Sequence, residues 1–249
     1  MGKRRIFITG GTGNIGARLV EDMVNDGHFV YFSSRSMDSG QRLIEQLGLS
    51  SNQAKAIRLN FDEPIEELKL QEFFDQWPDV IIHNARSLET LRIDKNGRIT
   101  SEQFQKEFNN GVTFPYALTN ILLDNSVPLK DVFFISSMYG NVAPNPSLYE
   151  DFKMQSPVNY GVVKAAQIHL TKELAVRMAP KGIRVNVVSY GGVEGRVDET
   201  FKKRYANLTP SGRMLSHADL YPPIQYLLNN PDLNVTGENL KVDGGWTIW

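Results

Sequence analysis

The stretch Thr9-Gly10-Gly11-Thr12-Gly13-Asn14-Ile15-Gly16 constrains this chain more than any other. It follows a short β-rich run, Arg5–Thr9, and opens a run of helical periodicity, Ile15–Asn25. Glycines at a strand-to-helix turn let the backbone bend sharply and lie close against a ligand. The helix that follows presents unpaired N–H groups and the positive end of its dipole, a combination suited to a pyrophosphate. A glycine-rich turn alone can be an ordinary βα connection. In this strand–loop–helix setting it predicts dinucleotide binding, with Gly10, Thr12, Gly13, Asn14, Ile15 and Gly16 as the binding segment.

The rest of the chain repeats the alternation. β-rich runs at His28–Ser33, Ala56–Leu59, Val80–His83, Asp131–Ser136, Arg184–Val188 and Leu240–Val242 are separated by helical periodicity at Gln41–Leu47, Ile65–Trp77, Ser101–Asp124 and Asn159–Met178. The third of these helices is expected to bend near Gly111 and Pro115. Strands that alternate with helices need crossovers, so the pattern predicts an α/β fold: a Rossmann-type, doubly wound parallel sheet with helices on both faces. With 249 residues, no repeat and no Pro/Gly/Ser-rich linker, residues 1–249 read as a single domain. Two polar segments interrupt the alternation. Residues 141–157 read as an active-site loop and 194–216 as a substrate-side insertion.

Composition narrows the partners. Lys+Arg is 27 against Asp+Glu 28, for a net charge of −1, which disfavours a nucleic-acid binder. There is no cysteine, which excludes disulfides, thiolate metal sites and cysteine nucleophiles. His28, His83, His169 and His217 lack metal-ligand spacing, so no metal site is expected. No apolar run is long enough to span a bilayer, and the basic start Lys3-Arg4-Arg5 precedes too short an apolar run for a signal peptide. A cytoplasmic protein without membrane or nucleic-acid partners is the expectation.

The end of the second β-run bears on which dinucleotide is bound. An acidic residue there would take a free ribose 2′-hydroxyl. The sequence instead reads Ser33-Ser34-Arg35-Ser36, and the nearest acid, Asp38, lies beyond that place. A guanidinium can pair with a 2′-phosphate and a serine can hydrogen-bond it, so Ser34 and Arg35 favour NADP(H).

A second constellation carries proton chemistry. Tyr160 and Lys164 are four residues apart on a helix and share a face. A cation one turn along favours the phenolate form, which suits a tyrosine to general acid/base work without a metal. Upstream, the β-run that ends Ile135-Ser136-Ser137 delivers hydroxyls to the carboxyl edge of the sheet, where ligands of open α/β folds bind.

In this order the motifs resemble those of the short-chain dehydrogenase/reductase family over nearly the whole chain. The resemblance rests on Thr9–Gly16, Asn84-Ala85, Ser136-Ser137, Tyr160…Lys164, Gly182–Asn186, Ser189–Gly192 and Thr236…Asp243-Gly244-Gly245. It implies that Ser137 orients a substrate carbonyl and that Tyr160 is the acid/base. Lys164 would hold the nicotinamide ribose and assist the phenol. Asn84, Ala85, Gly191 and Val193 would line the cofactor, and Asn60 and Phe61 would flank its adenine. Several positions depart from the family pattern. Asn14 stands at a usual glycine, Arg86 follows Asn84-Ala85 in place of glycine, and Tyr190 replaces a proline. Aligned on Pro115, Gly111 falls where the family carries a catalytic asparagine, whose backbone carbonyl glycine would keep; Asn109 and Asn110 lie just before it, and a shift of register would place one of them there.

The segment Tyr139–Pro144 with Tyr149, Glu150 and Met154, and the tail Gly245–Trp249, are similar to those of bacterial oxidoreductases linked to flagellin modification and nonulosonic-acid sugars. That implies a small polar, sugar-like substrate. The expected function is an NADP(H)-dependent interconversion of a carbonyl and an alcohol. A catalytically weak nucleotide-binding or scaffold protein is the alternative raised by Gly111 and Arg86, and a sugar-nucleotide epimerase or dehydratase is the one raised by the glycine spacing. By the resemblance, Ser101–Asp124 and Asn159–Met178 would pair across a two-fold axis into a homodimer or homotetramer, using surplus apolar residues such as Leu118, Ile121, Leu122, Ile168 and Leu170.

Overall fold

In the computed structural model, which describes residues 2–65, 69–195 and 197–248, seven strands form one parallel sheet. They are β1 (Arg5–Ile8), β2 (Phe29–Ser34), β3 (Ala54–Arg58), β4 (Val80–His83), β5 (Asp131–Ser137), β6 (Arg184–Tyr190) and β7 (Asn239–Val242), in the order β3-β2-β1-β4-β5-β6-β7. The order reverses between β1 and β4, so the crevice at their carboxyl ends is the topological switch point where such sheets take ligands. A sheet with both faces covered has apolar strands rather than alternating ones. The strand sequences obey this: Ile6, Phe7, Ile8, Val80, Ile81, Ile82, Phe133 and Phe134 are all fully buried.

The helices divide between the faces. One layer packs α1 (Asn14–Asn25), α2 (Met37–Gln46) and α9 (Pro222–Asn229) against Ile6, Ile8, Val30, Phe32 and Val188. The other packs α5 (Phe114–Asp124) and α7 (Val158–Met178) against Phe7, Tyr31, Ile81, Val132 and Phe134. The remaining helices are α3 (Leu70–Phe73), α4 (Ser101–Phe108), α6 (Phe152–Gln155) and α8 (Glu199–Leu208). At the amino end of the sheet, Asp131 receives Arg4 at 2.9 Å and Arg184 at 2.7 Å, and Arg4 also reaches Asp79 at 2.8 Å. These pairs tie β1, β5 and β6 together at the end away from the crevice.

Several sequence expectations need correction. The helix expected over Ile65–Trp77 is a single turn at Leu70–Phe73, with residues 66–68 outside the described residues. The apolar residues there serve packing: Phe74 makes edge contacts with both Phe7 and Tyr31, and Phe73 and Trp77 pack around it. The bend expected near Gly111 is a π-turn over Asn109–Thr113 between α4 and α5. The insertion, irregular or helical by its sequence, is in part helical, with α8; α9 follows where the sequence suggests no helix. Leu118 and Leu122 are completely buried and so are not surplus apolar surface; Ile121, Ile168 and Leu170 are half-buried and pack on the same core.

His83 ends β4 fully buried. The Thr119 hydroxyl donates to the Pro115 carbonyl at 2.9 Å, so it accepts from His83 Nε2 at 2.8 Å, and His83 Nδ1 is buried without a partner. Burial holds the imidazole neutral and pushes its pKa down from 6.5 to about 3. The unfolded chain therefore binds a proton that the folded chain refuses. Stability from this site is complete above pH 6.5 and drains away as pH falls towards 3. His83→Gln should flatten the fall in Tm between about pH 7 and about pH 4, measured by differential scanning calorimetry.

Candidate active site

A cleft of about 1190 Å³ opens along the carboxyl edge of the sheet, and its walls include every site residue expected from the sequence. The glycine loop forms one wall. Gly10 adopts φ +68°, and a Cβ on it would lie 2.7 Å from the Ala85 Cα. A Cβ on Gly16 would lie 2.2 Å from the Gly10 carbonyl oxygen and 2.8 Å from Asn84 Nδ2. These glycines serve close backbone approach. Asn84 fastens the loop: its amide donates to the Thr9 and Gly10 carbonyls at 3.1 and 3.0 Å, while Thr9 Oγ1 accepts from the Asn84 and Ala85 N–H groups. The Ser33 hydroxyl accepts from Gly10 N at 2.9 Å. Gly13 caps α1, and Asn14 turns its amide oxygen to His217 Nε2 at 3.1 Å.

Beyond β2, Ser34 is buried within 3.4 Å of the Thr12 hydroxyl, and Arg35 is exposed on the cleft wall. Asp38 lies in the first turn of α2, which Ser36 caps, and does not line the cleft. Asn60 and Phe61 line the same end, with Phe61 stacked on Phe114 at 3.9 Å between centroids. Gly191 and Val193 lie opposite, and Gly191 donates to the Val242 carbonyl at 2.8 Å. Tyr190, at the family's proline position, is buried and donates its hydroxyl to the Leu220 carbonyl.

The centre of the cleft brings Ser137, Tyr160 and Lys164 together. The two serines of β5 differ in use. Ser136 donates to the Lys164 carbonyl at 2.9 Å and so anchors α7 to the strand. Ser137 accepts from Tyr139 N at 3.2 Å, which leaves its proton available to a ligand. Lys164 is 6% exposed; its ammonium donates to the Ile135 carbonyl at 2.7 Å and to Gln167 Oε1 at 3.0 Å, and stands 5.8 Å from the centre of the Tyr160 ring. Burial first, and the nearby Arg86 guanidinium second, bring the Lys164 pKa down from 10.5 to about 7 against the opposing pull of Glu107. Arg86 stands 5.3 Å from the same ring centre on its own account.

The sequence singles out Tyr139 and Tyr149 but not Phe201, Tyr205, Met214 or Gln167. Tyr139 and Tyr149 share a 2.6 Å hydrogen bond at the cleft wall, and burial pushes both phenols up. Tyr149 thus belongs to the cleft as its loop suggests, whereas Glu150 turns outward to Arg204 on α8 at 3.5 Å. Tyr205, Phe201 and Met214 come from the insertion, and Tyr205 stacks on Trp246 at 4.7 Å. Gln167 lies one turn beyond Lys164, and that spacing is the signal that could have found it. Among the described residues, no group of three or more His, Asp or Glu is placed to hold a metal.

A family model described as enoyl-(acyl carrier protein) reductase matches residues 11–247, and with these contacts in place the chain belongs to the short-chain dehydrogenase/reductase family. A post-translational flagellin modification protein A of Campylobacter coli is 25% identical, covering 98% of each chain. A sorbose reductase of Candida albicans is 30% identical over 96% of this chain and 85% of its own length. Among solved structures, a short-chain dehydrogenase of Leptospira borgpetersenii with bound NAD+ is 27% identical, with a TM-score of 0.81 over 99% of this chain and 94% of that one. The chain is therefore a member of an oxidoreductase family whose structures carry nicotinamide cofactors.

Gly111 is sterically fixed. A Cβ there would lie 2.3 Å from Val163 Cγ1, inside the helix that carries Tyr160 and Lys164. Restoring the family residue with Gly111→Asn should lower stability by about 1–3 kcal/mol, read from urea unfolding, rather than improve the enzyme.

Proposed function

We propose that the protein is a cytoplasmic, NADP(H)-dependent oxidoreductase that interconverts a carbonyl and an alcohol on a small polar, sugar-like substrate. The observation that carries the reading is the convergence of Ser137, Tyr160 and buried Lys164 on a cleft whose far wall is the glycine loop. The backbone spacing at Gly10 and Gly16 suits a pyrophosphate on the start of α1. Exposed Arg35 lies on the cleft wall and Asp38 does not, which suits a 2′-phosphate. When bound, the nicotinamide exchanges the hydride. The protein supplies position and the proton: Ser137 holds the substrate oxygen, Tyr160 donates to it or accepts from it, and Lys164 presents positive charge beside the phenol.

The sugar-like substrate is supported by polar cleft residues near the phenol, Tyr139 and Tyr149 among them, and by the named relatives that modify flagellin or reduce sorbose. The loop 141–157 and the insertion 194–216 supply this wall within a single domain, residues 1–249. Tyr160→Phe should lower NADPH-dependent reduction of a keto-sugar such as sorbose by about 10²-fold or more while NADPH binding persists. Arg35→Ala should weaken NADPH binding and leave NADH binding nearly unchanged in fluorescence titrations. NADPH binding without turnover across a panel of carbonyl compounds would favour the scaffold reading instead.

Assembly into a homodimer or homotetramer is part of the same reading. The support is the exposed apolar surface left on α5 and α7 by Tyr116, Val162 and Val176. Light scattering at micromolar concentration should give a multiple of the 28.1 kDa chain mass, and Val162→Glu with Val176→Glu should return the monomer.

A further inference from the structure

Gln167 is 3% exposed on α7, one turn beyond Lys164. Its amide nitrogen donates to the Gly111 carbonyl at 2.8 Å, and its amide oxygen accepts from the Lys164 ammonium at 3.0 Å. One side chain therefore spans from the π-turn between α4 and α5 to the cation at the centre of the cleft. The π-turn and the absence of a side chain at Gly111 bring that carbonyl against α7, where any Cβ would strike Val163. An ammonium has three donors. Two are assigned, to Ile135 O and Gln167 Oε1, on β5 and α7.

The geometry points to Gln167 as a positioning residue that, held by the Gly111 carbonyl, fixes the Lys164 ammonium and leaves one N–H for the phenol and cofactor side of the cleft. Gly111 and Gln167 lie behind the cleft and are joined to it through Lys164. The bridge also has a fixed polarity. The carboxamide accepts at oxygen and donates at nitrogen, so a proton cannot hop along it without forming an unfavourable imidic acid. The proton that Tyr160 delivers to a substrate oxygen is accordingly replaced from the open cleft, not through Gln167. This inference rests on the Ser-Tyr-Lys reading above.

The charged and titratable groups around the ammonium are Tyr160 on its own helix, Arg86 from the loop after β4 and Glu107 from α4, with Tyr139 beyond the phenol. An acceptor on the charged form stabilises it, so the test is the protonation midpoint of Lys164, followed through its 13Cε resonance. Gln167→Met keeps the shape and removes the acceptor, and should lower the midpoint by about one pH unit. Gln167→Glu places a carboxylate at the same distance and should raise it by about one unit or more. A purely structural role would not move the two in opposite directions, and thermal melts with NADPH titration show that each variant is folded. Coincident midpoints in all three proteins would overturn the inference.

A high-resolution crystal structure of the unaltered protein gives an arm that needs no variant. A direct Lys164–Gln167–Gly111 chain supports the proposal, and an ordered water standing between Lys164 and Gly111 overturns it. Reduction of sorbose by Tyr160→Phe separates the two readings. Retained turnover removes the Ser-Tyr-Lys reading, while the Lys164 midpoints still decide the bridge. Lost turnover with unmoved midpoints removes the bridge alone.

Discussion

The hydrogen bonds between Asn84 and the backbone of Thr9 and Gly10 hold the carboxyl ends of β1 and β4 together. Everything else in the cleft is placed relative to that junction. A parallel sheet opens a crevice where its order reverses, but the crevice has a defined width only if the two loops leaving it are tied. Asn84 does this with its side chain, and Thr9 returns the tie through its hydroxyl. Because the loops touch, the positions in contact must be small. This one junction therefore accounts for Gly10, Gly16 and Ala85 together.

Much of this was legible in the sequence for a physical reason. A glycine turn between a strand and a helix, and a tyrosine and lysine one turn apart, are local patterns whose geometry is set by backbone periodicity. β4 is found at the predicted residues because Val80-Ile81-Ile82 is a β-branched apolar run that ends at His83 between polar segments. Where the reading erred, tertiary packing decided the outcome. Phe73, Phe74 and Trp77 have helical spacing, yet they form an aromatic cluster under β1 and β2 rather than a helix face. Leu118 and Leu122 look like surplus on a long helix, yet α5 packs them wholly into the core under the sheet. The role of Glu150 was equally hidden, because its partner Arg204 lies on a helix within an irregular-looking insertion.

The polar interior follows a stricter logic than the apolar one. Lys164 is buried at a cost that only donors and acceptors in fixed places can offset. Ile135, Gln167 and Gly111 supply them, and Ser136 locks the helix that carries the lysine. Gly111 takes on meaning in this setting. Its missing side chain is what admits Val163 and brings a carbonyl within reach of Gln167. A departure from a family pattern, judged at one position, suggests loss. Judged with the residue it touches, it is half of an exchange.

Tyr205 joins three remote stretches of chain. Its ring lies on Trp246, and its hydroxyl accepts from Gly192 and donates to the sulfur of Met138. Trp246 is held in turn by the Asp243–Thr247 turn, whose carboxylate collects the Gly245 and Thr247 donors. This wall of the cleft is thus propped from behind by a segment more than eighty positions downstream of Tyr160 in the sequence. Selectivity in such an enzyme need not drift only through residues that meet the ligand. It can be inherited through the buttress, where a change of ring size at Trp246 would tilt Tyr205 and reshape the cleft without substituting any residue of its lining.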